Sequence, residues 1–112
     1  MKLGISCSAV LKKYGFERGF AICRAGGFDT IEFSLSSYGN RELPTDIYNA
    51  SPEEFEEYFT GIRKLAENAG VEIATAHDRF LTYTNEEAQC DYTRWVSRKD
   101  LEAAGLLGRP CV

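Results

Sequence analysis

The chain has 112 residues, 44% of them hydrophobic and 27% charged, with a net charge of −4. That size supports one domain over residues 1–112 with a real core, burying about two thirds of the unfolded surface. The acidic balance, with no basic run interleaved with aromatics, excludes a nucleic-acid footprint. No stretch reads as a membrane span or a signal peptide, so a cytoplasmic protein is expected.

Met1 to Cys7 opens as a short strand, with Leu3, Ile5 and Cys7 on one face and Gly4 and Ser6 on the other. A loop containing Tyr14 and Gly15 leads into a predicted helix from Phe16 to Ala25, in which Phe16, Phe20 and Cys23 share a stripe and Gly19 costs on the order of 1 kcal/mol relative to Ala. Phe28 to Leu35 is a strand by alternation, Ile31, Phe33 and Leu35 against Glu32 and Ser34. The polar segment from Ser36 to Ala50 is long for a simple connection, and loops of that length tend to be lids or binding loops.

The best-marked element follows. Ser51 and Glu54 form an S-x-x-E capping box with Pro52 at the first helical position. Phe55, Tyr58, Phe59, Ile62, Leu65, Ala66 and Ala69 then recur at helical spacing, and Gly70 supplies the stop. Val71 to Ala76 reads as a strand that delivers His77, Asp78 and Arg79 at its carboxyl end, where chemistry sits in α/β folds. After a loop from Leu81 to Gln89, a third helical pattern carries Tyr92, Trp95, Val96, Ala103 and Leu107, interrupted by Lys99 and ended by Gly108 and Pro110. Cys111 and Val112 are the stub of a fourth strand. The four cysteines, Cys7, Cys23, Cys90 and Cys111, include no C-x-x-C pair, so reduced packing residues are expected rather than a zinc ribbon or a disulfide scaffold.

Ala25-Gly-Gly-Phe, Ala69-Gly-Val-Glu and Leu107-Gly-Arg-Pro repeat one junction, helix end, glycine, strand, at roughly forty-residue steps. This is the rhythm of βα units and of a parallel sheet. Right-handed crossovers between sequential strands put all the helices on one side. The opposite face would carry Gly4, Ser6, Glu32, Ser34, Glu72, Ala74 and Ala76, small and polar, as in the wall of a barrel with a wet lumen.

The first strand, AGGFDTIEF from Ala25, EEFEEYF from Glu53, AGVEI…AH from Ala69 and LLGRP from Leu106 together resemble the N-terminal part of the sugar phosphate isomerase/epimerase family, which has the xylose isomerase-like TIM barrel and is related to the AP endonucleases. The resemblance runs the length of the chain. It implies the N-terminal half of a (β/α)8 barrel, three complete parallel strands plus a fourth-strand stub with helices on one face. It also implies a divalent metal (Mn, Mg or Zn), a sugar or sugar phosphate substrate, and isomerisation or epimerisation by proton transfer beside a carbonyl. A whole barrel takes about 250 residues. In the isomerase branch the metal ligands come from strands five to eight, which this chain lacks, so a homo-oligomer or a complementary C-terminal half is implied as partner.

His77, the only histidine, is a candidate general base. It also matches the metal-ligand histidine of the H-A-P-[FY] motif in the endonuclease-like branch, although Asp78-Arg79-Phe80 follows it here. Counting by twos from Val71 and Ile73 aims His77 at the helices unless a bulge or the strand end redirects it. Glu32, mid-strand on the polar face, is the second catalytic candidate, or else a carboxylate paired with a cation across the lumen. Ser34, Tyr38 and Arg79, at or just past strand ends, are placed to touch a polyol or phosphate, or are solvated loop residues. Cys7 reads as a small buried residue rather than as a thiolate partner of His77. The alternative to an isomerase is a non-catalytic half-barrel remnant or a small-ligand-binding module.

Overall fold

The computed structural model describes residues 3–77 and 86–108. It is a mixed α/β structure whose three strands, β1 (Gly4–Ser6), β2 (Thr30–Ser34) and β3 (Glu72–His77), form one parallel sheet in the order β1-β2-β3. Four helices accompany them among the described residues: α1 (Ser8–Tyr14), α2 (Phe16–Ala25), α3 (Pro52–Ala69) and α4 (Glu87–Leu106). The expected fourth-strand stub at Cys111 and Val112 lies outside the described residues, as does Arg79. None of the described helices is long and apolar enough to cross a membrane.

The α3 boundaries follow from local chemistry. The Ser51 side chain accepts the Glu54 N–H at 3.2 Å, Pro52 occupies the first turn, and Gly70 ends the helix in the left-handed region at φ 83°. Its apolar stripe buries Phe55, Phe59, Ile62 and Ala66 against the sheet and α4. In β2 the alternation is as expected, with Ile31, Phe33 and Leu35 buried and Thr30, Glu32 and Ser34 only partly so.

α1 is not anticipated by the pattern, which reads this stretch as a loop. It has only seven residues, no side-chain cap at Cys7 and no fully buried position, so no stripe or start signal marks it. Its presence explains Gly19: a Cβ there would stand 2.7 Å from Leu11 Cδ2 and 3.3 Å from Leu11 Cα, so α2 needs a glycine where α1 crosses it.

β3 departs from simple alternation. Ile31 pairs with Ile73 but Glu32 pairs with Thr75, so Ala74 is an extra residue, a bulge in a parallel pair. Beyond it every side chain changes face. Ala76, expected on the small polar face, is instead 1% exposed in the core. His77, which the count by twos aims at the helices, is exposed on the opposite side. The core therefore joins one face of the sheet to the helices, and the other face presents Gly4, Ser6, Thr30, Glu32, Ser34, Thr75 and His77.

The segment after β2 is strapped down rather than left as a lid. The buried Asp46 carboxylate accepts N–H bonds from Gly39 (3.0 Å), Asn40 (2.9 Å) and Tyr48 (2.9 Å), closing the loop on itself. Tyr48 donates to the buried carboxylate of Asp100 on α4, Tyr92 donates to the Gly39 carbonyl at 2.9 Å, and Arg41 stacks on Trp95 at 4.6 Å. Lys99, the residue that interrupts the α4 stripe, leaves the helix unbroken because its ammonium lies over the Phe55 ring at 4.7 Å and near Glu102 at 3.8 Å.

Gly70→Ala is expected to destabilise the chain by about 1 kcal/mol, because an L side chain must then hold a left-handed backbone. Gly61→Ala, inside α3 with open space around its Cβ, is expected to stabilise by about 0.5–1 kcal/mol. Urea midpoints at constant slope read both. Equal midpoints for wild type and Gly70→Ala would contradict the cap.

Candidate functional site

The face of the sheet turned away from the described helices carries two titratable side chains. Glu32 projects from the middle of β2, and the bulge at Ala74 brings His77 to the same face at the carboxyl end of β3. His77 Nδ1 lies 3.6 Å from Glu32 Oε1, with side-chain exposures of 52% and 41%. A pair this open to water adds little to stability. It is, however, accessible to a solute and adjacent enough to exchange a proton after a small adjustment.

Ser34 stands beside this pair. It is the direct register partner of His77, and the His77 carbonyl accepts the Leu35 N–H at 2.9 Å, which locks the ends of β2 and β3 together. Ser34 Oγ and Ser36 Oγ are 2.8 Å apart, forming a hydroxyl pair at the strand end. The structure thus gathers Glu32, His77 and Ser34, three of the residues singled out by sequence, on one surface.

Tyr38 is placed differently. Its hydroxyl is 2.8 Å from that of Tyr58, its ring stacks on Tyr48 at 5.7 Å, and it meets Phe59 edge-on at 5.4 Å. Burial, followed by the Tyr58 hydroxyl, pushes its phenol above the ordinary range. It joins the loop to α3 and keeps its hydroxyl occupied. Arg79 is outside the described residues.

Cys7 is 1% exposed, and its thiol donates to the Glu32 carbonyl at 3.5 Å. Burial first, and then the neighbouring Cys23, push the thiol from 9.0 up to about 12. It supports the backbone under Glu32 and is no nucleophile. Asp46 and Asp100, which fix the loop and α4, carry no motif. Only the burial of both carboxylates and the hydrogen bonds they accept reveal them.

Glu32 and His77 supply two donors for a metal, and among the described residues no group of three His, Cys, Asp or Glu side chains is arranged to hold one. A divalent ion normally takes three protein ligands or more, so the described residues alone do not fit the metal implied by the resemblance.

Comparison with known proteins finds no family model that matches the chain and no significant match to a curated protein.

The raised Cys7 thiol gives a test of this environment. The folded state holds the proton to about 12 while the unfolded chain releases it near 9.0, so stability from this group is full below pH 9 and is lost as pH climbs toward 12. At pH 8.5 iodoacetamide is expected to label Cys7 on the order of 10²-fold more slowly in the folded chain than in urea. Peptide mapping reads each cysteine. Equal rates in the two states would contradict the buried thiol.

Proposed function

We propose that the chain is the N-terminal half of a xylose isomerase-like (β/α)8 barrel, and that Glu32 and His77 move protons in the isomerisation or epimerisation of a sugar or sugar phosphate. The observation that carries this reading is the Glu32–His77 pair on the face of a sequentially ordered parallel sheet that no described helix covers. Parallel strands are ordinarily covered on both faces, so a parallel sheet with helices on one face only among the described residues is one that further strands could close over.

The chemistry follows from the two side chains. The Glu32 carboxylate takes the proton from the carbon beside the substrate carbonyl. His77 donates a proton to the carbonyl oxygen, giving an enediol, and takes one back from the other hydroxyl oxygen as the new carbonyl forms. Return of the proton from Glu32 to the neighbouring carbon yields the isomer, whereas an epimer requires a proton donor on the other side of the substrate, which the strands completing the barrel would have to supply. Ser34, on the same surface, is positioned to hold a substrate hydroxyl. A divalent metal enters only where other strands add the missing ligands, and no step above depends on it.

Further strands would pair at the edges of this sheet. Within the described residues the outer edges of β1 and β3 are unpaired, and open strand edges recruit further strands. We propose that a second copy of the chain or a complementary C-terminal half supplies them. A cytoplasmic setting accords with the free thiols at Cys7 and Cys23. A second reading, a non-catalytic half-barrel, is favoured by one observation, the lack of a three-donor metal group among the described residues.

Proton NMR in D2O with pentose and hexose phosphates and added manganese separates the two. The isomerase reading expects loss of the signal beside the carbonyl for one sugar, slowed on the order of 10²-fold or more in Glu32→Gln and in His77→Asn. Light scattering on the same samples is expected to show a species larger than the monomer. A strict monomer with no exchange for any sugar overturns that reading and leaves the half-barrel.

A further inference from the structure

We propose that the cleft between α1 and the turn after β2, which adjoins the Glu32–His77 face through Ser34, binds a small amphipathic monoanion, an aryl or short-chain carboxylate. It opens at the carboxyl ends of β1 and β2 and encloses about 310 Å³, at the lower end of the range for small-molecule sites. The proposal does not depend on proton transfer by Glu32 and His77.

The floor of the cleft is apolar. Leu11 from α1, Phe16 from the start of α2 and Phe33 from β2 line it, with the two rings stacked at 6.1 Å and 28°. These rings leave a flat surface suited to a planar or short aliphatic body. Phe33 is 2% exposed, so the floor is the outer skin of the core and is held in place by it.

The rim is polar and has one sign of charge. Ser34 and Ser36 share a single hydrogen bond between their hydroxyls, so one of the two O–H groups remains to donate outward. Lys12 supplies the cation. It has no ion-pair partner among the described residues, whereas the adjacent Lys13 lies over the Tyr14 ring at 5.4 Å. Among the described residues no acidic side chain lines the cleft, although the chain carries a net charge of −4. A site with a lone ammonium, hydroxyl donors and no carboxylate selects an anion over a cation. The aromatic floor selects an anion with an apolar body over a bare inorganic one.

The test uses the full chain labelled with ¹⁵N and titrated with benzoate, and in parallel with inorganic phosphate and with benzyl alcohol, followed by amide shifts. Benzoate is expected to give saturable shifts confined to residues 11–16 and 33–38. Phosphate, which lacks the ring, and benzyl alcohol, which lacks the charge, are each expected to bind about tenfold or more weakly. Lys12→Met is expected to weaken benzoate by about tenfold, and Lys13→Met to leave it unchanged. Both lysines are exposed, so neither variant threatens folding. The proposal is overturned by any of three results: no saturable benzoate shift up to about 50 mM, phosphate binding as tightly as benzoate, or equal losses in the two lysine variants.

Discussion

One unpaired residue, Ala74, decides what the open side of this sheet presents. Side chains in a strand alternate with a period of two, so a single insertion in the pairing exchanges the faces of everything after it. Without the insertion, Ala76 would face solvent and His77 would enter the helix layer beneath the strand ends. With it, a small methyl completes the core and an imidazole stands near a carboxylate on the neighbouring strand. The same backbone event therefore improves packing and assembles the only acid–base pair on that face among the described residues. Cys7 adds to it from the junction of β1 and α1, its buried thiol bonded to the Glu32 carbonyl, so the strand that carries the carboxylate is held on both sides.

The rest of the structure holds that sheet flat against α3. The aromatic residues Phe55, Phe59, Tyr48 and Tyr38 form a continuous set of ring contacts that ties the long segment after β2 to α3, and Trp95 continues it onto α4. Burying such rings supplies most of the cohesion a small domain can gather. The polar bonds within this cluster, Tyr48 to Asp100 and Tyr38 to Tyr58, specify which ring goes where. A segment that by length resembles a mobile lid is thereby made part of the framework. The open face and the cleft beside α1 remain accessible.

Much of this arrangement is legible in the residues, and the gaps have physical causes. The start and stop of α3 are written in Ser51, Pro52, Glu54 and Gly70, because capping is local chemistry. The alternation in β2 and the repeated helix–glycine–strand junction suffice for a parallel sheet in sequential order. α1 escapes because seven residues without a cap or a buried stripe give no periodic signal. The bulge escapes because it is a property of the β2–β3 pairing and not of β3 alone. The orientation of Tyr38 escapes for a similar reason, since its partner Tyr58 lies 20 residues away on another element. Glu32 and His77 are each visible as candidates from sequence, but their proximity is a product of the fold.

The central claim is that His77 shares the open face with Glu32 because of the extra residue in β3. Nuclear Overhauser contacts of the His77 ring in the labelled chain address it directly. The account predicts contacts from the imidazole protons to the Glu32 side chain, with the Ala76 methyl in contact with the helix layer instead. Contacts from the imidazole to Ile62 or Phe59 would place His77 in the core and contradict it.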